Sequence, residues 1–163
     1  MYYELTDRFV VMADGERTWQ FFSSAENLPV ITPPWLGFRI VSAPAEGITV
    51  DSRLRYTIRL AGLRVGWESR IIDWSPPHQF IDLQIHGPYT LWHHQHTFEP
   101  VEGGTECRDR VIYKLPMGWV GRVGHLVAVR RQLRQIFEYR RKIIAEKLGG
   151  IRPLQETVRI GRL

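Results

Sequence analysis

The sequence predicts an α+β domain in which a curved seven-stranded antiparallel sheet surrounds one long C-terminal helix, with two short helices after the first strand. Two observations and one constraint lead there. Residues 38–115 form a succession of alternating segments joined by tight turns containing Gly or Pro. From about Val120 to Leu148 the apolar period changes from that of a strand to that of a helix. A sheet of this size must then curl, and helices must cover its apolar face.

Each element has its own signal. Residues 2–12 alternate, with Tyr3, Leu5, Phe9 and Val11 on one side and Glu4, Thr6 and Arg8 on the other. Asp14 is placed to cap a helix that carries Trp19, Phe21 and Phe22. Asn27-Leu28-Pro29 and Pro33-Pro34 break the following stretch into two short helices or turns. A strand is expected at Phe38–Ala43. Ser52–Leu60 then sets Leu54, Tyr56, Ile58 and Leu60 against Arg53, Arg55, Thr57 and Arg59. Ala61-Gly62-Leu63 turns into Arg64–Trp74, which Ser75-Pro76-Pro77 ends. Gln79–His86, Thr90–Glu99 and Thr105–Leu115 complete the meander around Gly87-Pro88-Tyr89 and Glu102-Gly103-Gly104.

In the terminal helix Val123, Leu126, Val127, Leu133, Ile136, Phe137, Ile143, Ile144 and Leu148 make the apolar stripe. Arg130, Arg131, Arg134, Arg141 and Lys142 lie mostly off it. Arg130 and Arg140 flank the stripe and are expected to reach solvent, an inward turn onto a carboxylate or phenolate being the alternative. Gly149-Gly150 stops the helix. The domain is expected to span 1–148, with 149–163 as a C-terminal extension or partner-binding arm.

Composition narrows the function classes. The 163 residues suit one domain, and 44% hydrophobic with 24% charged residues is ordinary globular usage. The net charge of +5 is unevenly spread: −3 over residues 1–121, +6 over 122–147 and +2 over 148–163. The excess belongs to one helix and the tail, which fits the solvated side of an amphipathic helix or an anionic surface. A single cysteine, Cys107, rules out an internal disulfide and a cysteine-built zinc site within one chain. The N-terminus lacks the pattern of a signal peptide, and no apolar run approaches the roughly 20 residues that span a bilayer. A cytoplasmic protein is expected.

The segment Gly87–Pro116 is the place to look for a site. One face of its first strand carries Trp92, His94, His96 and Phe98, and one face of the next carries Asp109, Val111 and Tyr113. His93 points the other way. Aromatics mixed with imidazole and carboxylate describe a cavity wall better than a plain core. If the turn centres near residue 89, Phe80 opposes Phe98, Asp82 opposes His96 and Gln84 opposes His94. Ligand contacts are therefore expected from Asp82, Gln84, Trp92, His94, His96, Phe98, Asp109 and Tyr113. An Asp–His pair there can also hold an imidazole as a general base, so His94, His96 and Asp109 are the catalytic candidates. Equally, such pairs can simply tie strands together.

His94 and His96 have the i, i+2 spacing by which a strand presents two metal ligands, a third coming from Asp82, Asp109 or His86. Nothing else in the chain supports such a site, and no metal or other cofactor is expected. The six tryptophans serve equally as pocket lining or as core. Gly118, Gly121 and Gly124, with no Lys-Ser/Thr behind them, are no phosphate loop and suit a close approach of helix to sheet.

The pattern Pro77-x2-Phe80-x-Asp82-x-Gln84-x2-Gly87-Pro88-Tyr89-x2-Trp92-x-His94-x-His96-x-Phe98 resembles the START/Bet v 1-like superfamily, also called SRPBCC. It is similar in particular to a bacterial subgroup described as ligand-binding or polyketide-cyclase-like. The pattern continues through Gly104-Thr105-x3-Asp109-x-Val111-x-Tyr113-x2-Pro116-x-Gly118 and Ile136-Phe137-x-Tyr139-Arg140, and the resemblance covers about residues 1–148. It implies the helix-grip fold and a hydrophobic cavity between the long helix and the sheet. By the same resemblance Pro33-Pro34-Trp35-Leu36 becomes a rim at the cavity mouth.

The expected function is binding or carriage of a small hydrophobic or aromatic molecule. The alternatives are a cyclase, aromatase or dehydratase using a cavity histidine as base, and an interaction module using the basic helix at a membrane surface or partner. No nucleic acid and no inserted membrane span are expected. Peripheral membrane contact and a homodimer stay open.

Overall fold

In a computed structural model, residues 1–116, 128–154 and 157–163 are described. The chain opens with β1 (Tyr3–Val11) and α1 (Gly15–Phe22), followed by a 3-10 turn at Ala25–Asn27, α2 (Leu28–Ile31) and a second 3-10 turn at Pro34–Leu36. Asp14 caps α1 as its position predicts, accepting the Arg17 N–H at 2.8 Å. Six strands follow: β2 (Arg39–Ser42), β3 (Arg53–Leu60), β4 (Leu63–Ser75), β5 (Gln79–His86), β6 (Leu91–Val101) and β7 (Gly104–Lys114). The terminal helix α3 covers Arg130–Lys147. Its expected first turns, with Val123, Leu126 and Val127, lie outside the described residues, as do Gly118, Trp119, Gly121 and Gly124.

All seven expected strands form, and the tail adds β8 (Ile151–Pro153) and β9 (Arg159–Arg162). The antiparallel sheet runs β2-β3-β4-β5-β6-β7-β1-β8, with β9 also paired to β1. β8 takes the Phe9–Val11 end of β1, and β9 takes the Tyr3–Thr6 end. Residues 149–154 and 157–163 are thus folded against the sheet, with Val158 and Ile160 buried. Strands of three and four residues are too short to show a period, which is why the tail carries no strand signal in the sequence.

Strand parity follows the alternation. Tyr3, Leu5, Phe9 and Val11 point inward on β1, and Trp92, His94, His96 and Phe98 do so on β6, with Asp109, Val111 and Tyr113 on β7. The β3–β4 hairpin closes through Ala61 and Gly62, both at positive φ, a two-residue turn whose twist suits antiparallel strands.

The concave face is filled by α3, which buries Leu133, Phe137, Arg141 and Ile144 on one stripe. Two apolar clusters result. One gathers Phe9, Trp19, Phe22, Phe80, Phe98, Ile144 and Leu148 under α1. The other gathers Leu5, Trp67, Trp92, Val111, Leu133 and Phe137 toward the opposite end.

Arg141 corrects the expectation that it lies off the buried stripe. It is 9% exposed and paired with Asp7, itself 1% exposed on the inner face of β1. The pairing follows from parity: Asp7 falls between Leu5 and Phe9 on the face covered by the helix, and a buried carboxylate needs a cation.

Candidate ligand cavity

A cavity of about 180 Å³ lies between α3, the α2 region and the concave face of the sheet. Its apolar walls come from Leu28, Ile31 and Leu36 at the mouth side, Leu54, Tyr56, Ile58 and Trp67 on β3 and β4, and Leu133, Ile136 and Phe137 on α3. Its polar lining includes Ser69, Asp82, His94, His96 and Arg140, with Thr32 and Gln132 adding uncharged groups. Of the tryptophans, Trp67 and Trp92 line it, with ring centroids 5.4 Å apart, whereas Trp19 and Trp74 pack edge to face in the core at 4.8 Å. Trp35 in the second 3-10 turn is exposed, its ring edge against Tyr139.

The predicted site residues divide by position. Asp82, Trp92, His94 and His96 face the cavity. Asp109 sits behind the two histidines, buried and out of the lining. Phe98 belongs to the core, packed on Phe22 at 4.9 Å, and Tyr113 is buried against Tyr3. Gln84 is turned to the β5–β6 loop: its amide donates to the Tyr89 carbonyl at 2.6 Å, and its oxygen accepts from the Tyr89 N–H at 3.3 Å.

That loop corrects the expected register. Phe80 pairs with His96 and Asp82 with His94, so the turn centres on Pro88 rather than residue 89. The physical cause is the Gln84 clasp, which keeps residues 87–90 as a compact loop outside the ladder. The shift is by two residues, and an even shift leaves every side chain on its face. The Asp–His patch therefore survives with different neighbours.

Within the patch the two imidazoles stand side by side, centroids 3.8 Å apart, between two carboxylates. Behind them, His94 Nε2 hydrogen-bonds Asp109 Oδ1 at 2.9 Å. His96 Nδ1 is 2.7 Å from the same oxygen, a close ionic contact outside hydrogen-bond alignment. In front, Asp82 Oδ2 lies 3.5 Å from His94 Nδ1 and 3.4 Å from His96 Nε2. Phe80 stacks on the His96 ring at 4.2 Å, and Phe137 closes over His94 at 5.8 Å.

Charge is distributed unequally over this cluster. Burial and the neighbouring His96 pull His94 down to about 4, against the two carboxylates, so it is neutral at pH 7. Burial also pulls His96 down, but Asp109 and Asp82 outweigh it, and its pKa rises. Burial raises both carboxyls, and the imidazoles and Arg140 more than reverse this: Asp82 is lowered and Asp109 is held well below the usual carboxylate range. A proton entering the pair is therefore drawn to His96 rather than His94, where it and Arg140 face the two carboxylates.

Arg140 is the residue that solvent-facing logic misplaces. Its side chain is 13% exposed, with Nη2 3.9 Å from Asp109 Oδ1 and the guanidinium over the Phe137 ring. It has turned into the cavity, and Nε and Nη2 have no hydrogen-bond partner among the described residues. The buried carboxylate on β7 is the cause, and no helical period could reveal it. With Arg141 also inside, the basic face of α3 is smaller than its composition suggests.

Sheet, gripping helix and a partly open apolar cavity with a polar patch define a protein of the helix-grip fold. The chain belongs to the family described as polyketide cyclase / dehydrase and lipid transport, whose profile matches residues 11–137. That family is known for binding small hydrophobic ligands. No curated protein matches the sequence.

Among solved structures, a START superfamily protein from Mycobacterium smegmatis superposes with a TM-score of 0.68 at 14% identity, covering 90% of this chain and 97% of that one. The di-domain aromatase/cyclase StfQ of the steffimycin biosynthetic pathway gives 0.71 at 14% identity, over 91% of this chain and 51% of that one. A Thalictrum norcoclaurine synthase mutant with a transition-state analogue gives 0.65 at 14% identity, over 90% and 96%. At such identities the likeness shows the fold. Among the described residues no helix is long and apolar enough to cross a membrane.

Proposed function

We propose that the protein binds a compact hydrophobic or aromatic molecule bearing one polar or anionic group. The supporting observation is the asymmetry of the cavity. Apolar and aromatic side chains surround most of it, while Asp82, His94, His96 and the Arg140 guanidinium, which has hydrogen-bonding capacity to spare among the described residues, line its polar part. Such a cavity takes the apolar body of a ligand by burial and fixes its orientation through a few polar contacts.

Size refines the ligand class. Pockets for drug-sized ligands run roughly 300–1,000 Å³, and an apolar cavity of about 150 Å³ accepts benzene. The volume of about 180 Å³ argues for a ligand of one or two rings rather than an extended lipid or polyketide chain. Native mass spectrometry of freshly purified protein against a denatured control tests this. A bound mass of aromatic size is the expected result. A cavity that returns no adduct and takes up no small aromatic probe contradicts the reading.

A cyclase- or dehydratase-like enzyme is the second reading, favoured by the braced histidine pair at the cavity wall. His94 Nδ1 faces the cavity side while Nε2 is held by Asp109, an arrangement that fixes one tautomer for proton abstraction beside a carbonyl. Turnover lost in His94→Gln with ligand binding retained supports it. Loss of folding, or binding without turnover in the unmutated protein, supports the carrier.

A further inference from the structure

We propose that Asp82, His94 and His96 form a binding site for a divalent transition-metal ion, with its open coordination position facing the cavity. These are the three side chains of the described residues whose ligand atoms cluster within 4.8 Å of one another. β5 supplies the carboxylate, and β6 supplies both imidazoles from adjacent inward positions, so the sheet itself fixes the constellation.

The spacing fits coordination better than hydrogen bonding. Asp82 Oδ2 stands 3.5 Å from His94 Nδ1 and 3.4 Å from His96 Nε2. N–H···O bonds run about 2.7–3.2 Å, so both gaps are long for a direct bond. Metal–ligand bonds of about 2.0–2.1 Å at the tetrahedral angle put neighbouring ligand atoms about 3.3–3.4 Å apart. The two gaps from Asp82 match that edge, and the imidazole nitrogens, within 4.8 Å of each other, would close up on the ion as it binds. With both front nitrogens deprotonated, the three converging atoms are all lone-pair donors, and a cation would hold them together in place of any proton on His96.

The surroundings are those of a metal site. The rear nitrogen of each histidine is within 2.9 Å of Asp109 Oδ1, leaving the front nitrogens free to ligate. A carboxylate behind a ligating histidine fixes its tautomer and raises its basicity. Phe80 and Phe137 lie against the two rings, restricting water to the cavity side. Two imidazoles and one carboxylate with an open position suit zinc or ferrous iron.

Charge then says what fills the open position. A divalent ion with Asp82, Asp109 and Arg140 leaves one net positive charge, so a hydroxide or the anionic group of a cavity ligand would complete the site. Occupancy would also exclude the histidine-base reading, since both front nitrogens would be coordinated. Ligand binding by the apolar walls does not depend on the ion, and either can fail alone.

The experiment uses tag-free full-length protein stripped with chelator. Zn²⁺ is titrated calorimetrically, and Co²⁺ serves as the optical probe. One equivalent per chain is expected, with the intense visible bands of four-coordinate cobalt. His96→Gln and Asp82→Asn should each weaken Zn²⁺ binding at least 100-fold, whereas the exposed His86→Gln leaves it unchanged. Asp109→Asn should cost about 10–100-fold, as lost outer-shell carboxylates do. Circular dichroism of each metal-free variant separates lost ligation from lost fold. Absence of saturable binding, affinity that survives both ligand substitutions, or the pale spectrum of hydrated six-coordinate cobalt with the unmutated chain would overturn the proposal. The last readout needs no variant to fold.

Discussion

Replacing Arg141 by methionine is the sharpest test of what holds α3 to the sheet. Methionine keeps most of the aliphatic stem and removes the guanidinium, so the change is chiefly electrostatic. Asp7 would then be left at 1% exposure, opposite Asp109 in the β1–β7 register. Burial already dominates Asp7 and raises its pKa, with Arg141 acting against it and Asp109 adding to the rise. Breaking a buried pair from one side costs about 3–5 kcal/mol.

In a domain of this size each kcal/mol moves Tm by about 2–4 °C, so a fall of roughly 6–20 °C is expected by calorimetry at pH 7. Neutralising both partners in Asp7→Asn/Arg141→Met should recover most of the loss, because no charge is then stranded. The pH dependence has a definite sign. An orphaned Asp7 has a folded pKa further above its unfolded one, so its penalty grows as pH rises through that interval and vanishes below it. The deficit of Arg141→Met should therefore shrink toward pH 4. A variant within about 1 kcal/mol of the parent at pH 7, or a double variant no better than the single, would falsify the account.

Further expectations concern the cavity and the sheet. In metal-free protein, His94 falls from 6.5 to about 4 on folding. Its contribution is present above pH 6.5 and lost as pH falls toward 4, by roughly 3 kcal/mol. Urea titrations across that interval should be flatter for His94→Gln, and nitrogen-15 spectra should show His94 neutral at pH 7 and His96 titrating at higher pH than an ordinary histidine. Phe137→Ala, truncating a residue 2% exposed, should cost about 3–5 kcal/mol in urea unfolding while admitting larger aromatics to the cavity. Gly104→Ala would set a Cβ 1.8 Å from the Val11 carbonyl oxygen at φ +155°. It should destabilise by at least about 2 kcal/mol, seen as a lower urea midpoint, since only glycine fits that close approach.

How much the sequence discloses depends on the range of the interaction concerned. Strand identity is written locally, so alternation alone puts Trp92, His94, His96 and Phe98 on the inner face. Register is only partly local: the Gln84 clasp on Tyr89 moves the pairing by two residues, and nothing in the alternation reports a side chain bonding its own turn. Arg141, and the choice between the two orientations open to Arg140, are illegible for a different reason. A helical period sorts residues by polarity, yet Asp7 and Asp109 on β1 and β7 draw these two charges inward from 130 or so and 30 or so residues away in sequence. Strand parity does place Asp7 on the buried face, and a buried acid is the one signal that could have pointed to a buried base. The tail had no such signal, because β8 and β9 take their geometry from β1.

Those two short strands also decide which rims of the sheet stay open. An uncovered nine-residue β1 would present a row of unsatisfied amides and carbonyls, a template for joining another chain. β8 and β9 blunt it at its two ends, leaving β2 as the other terminal strand, four residues long, with its register to β3 broken between Ile40 and Ser42. A rim that short and irregular is a poor template for extension. Residues 149–154 and 157–163 therefore cover most of an edge that charge would otherwise have to protect.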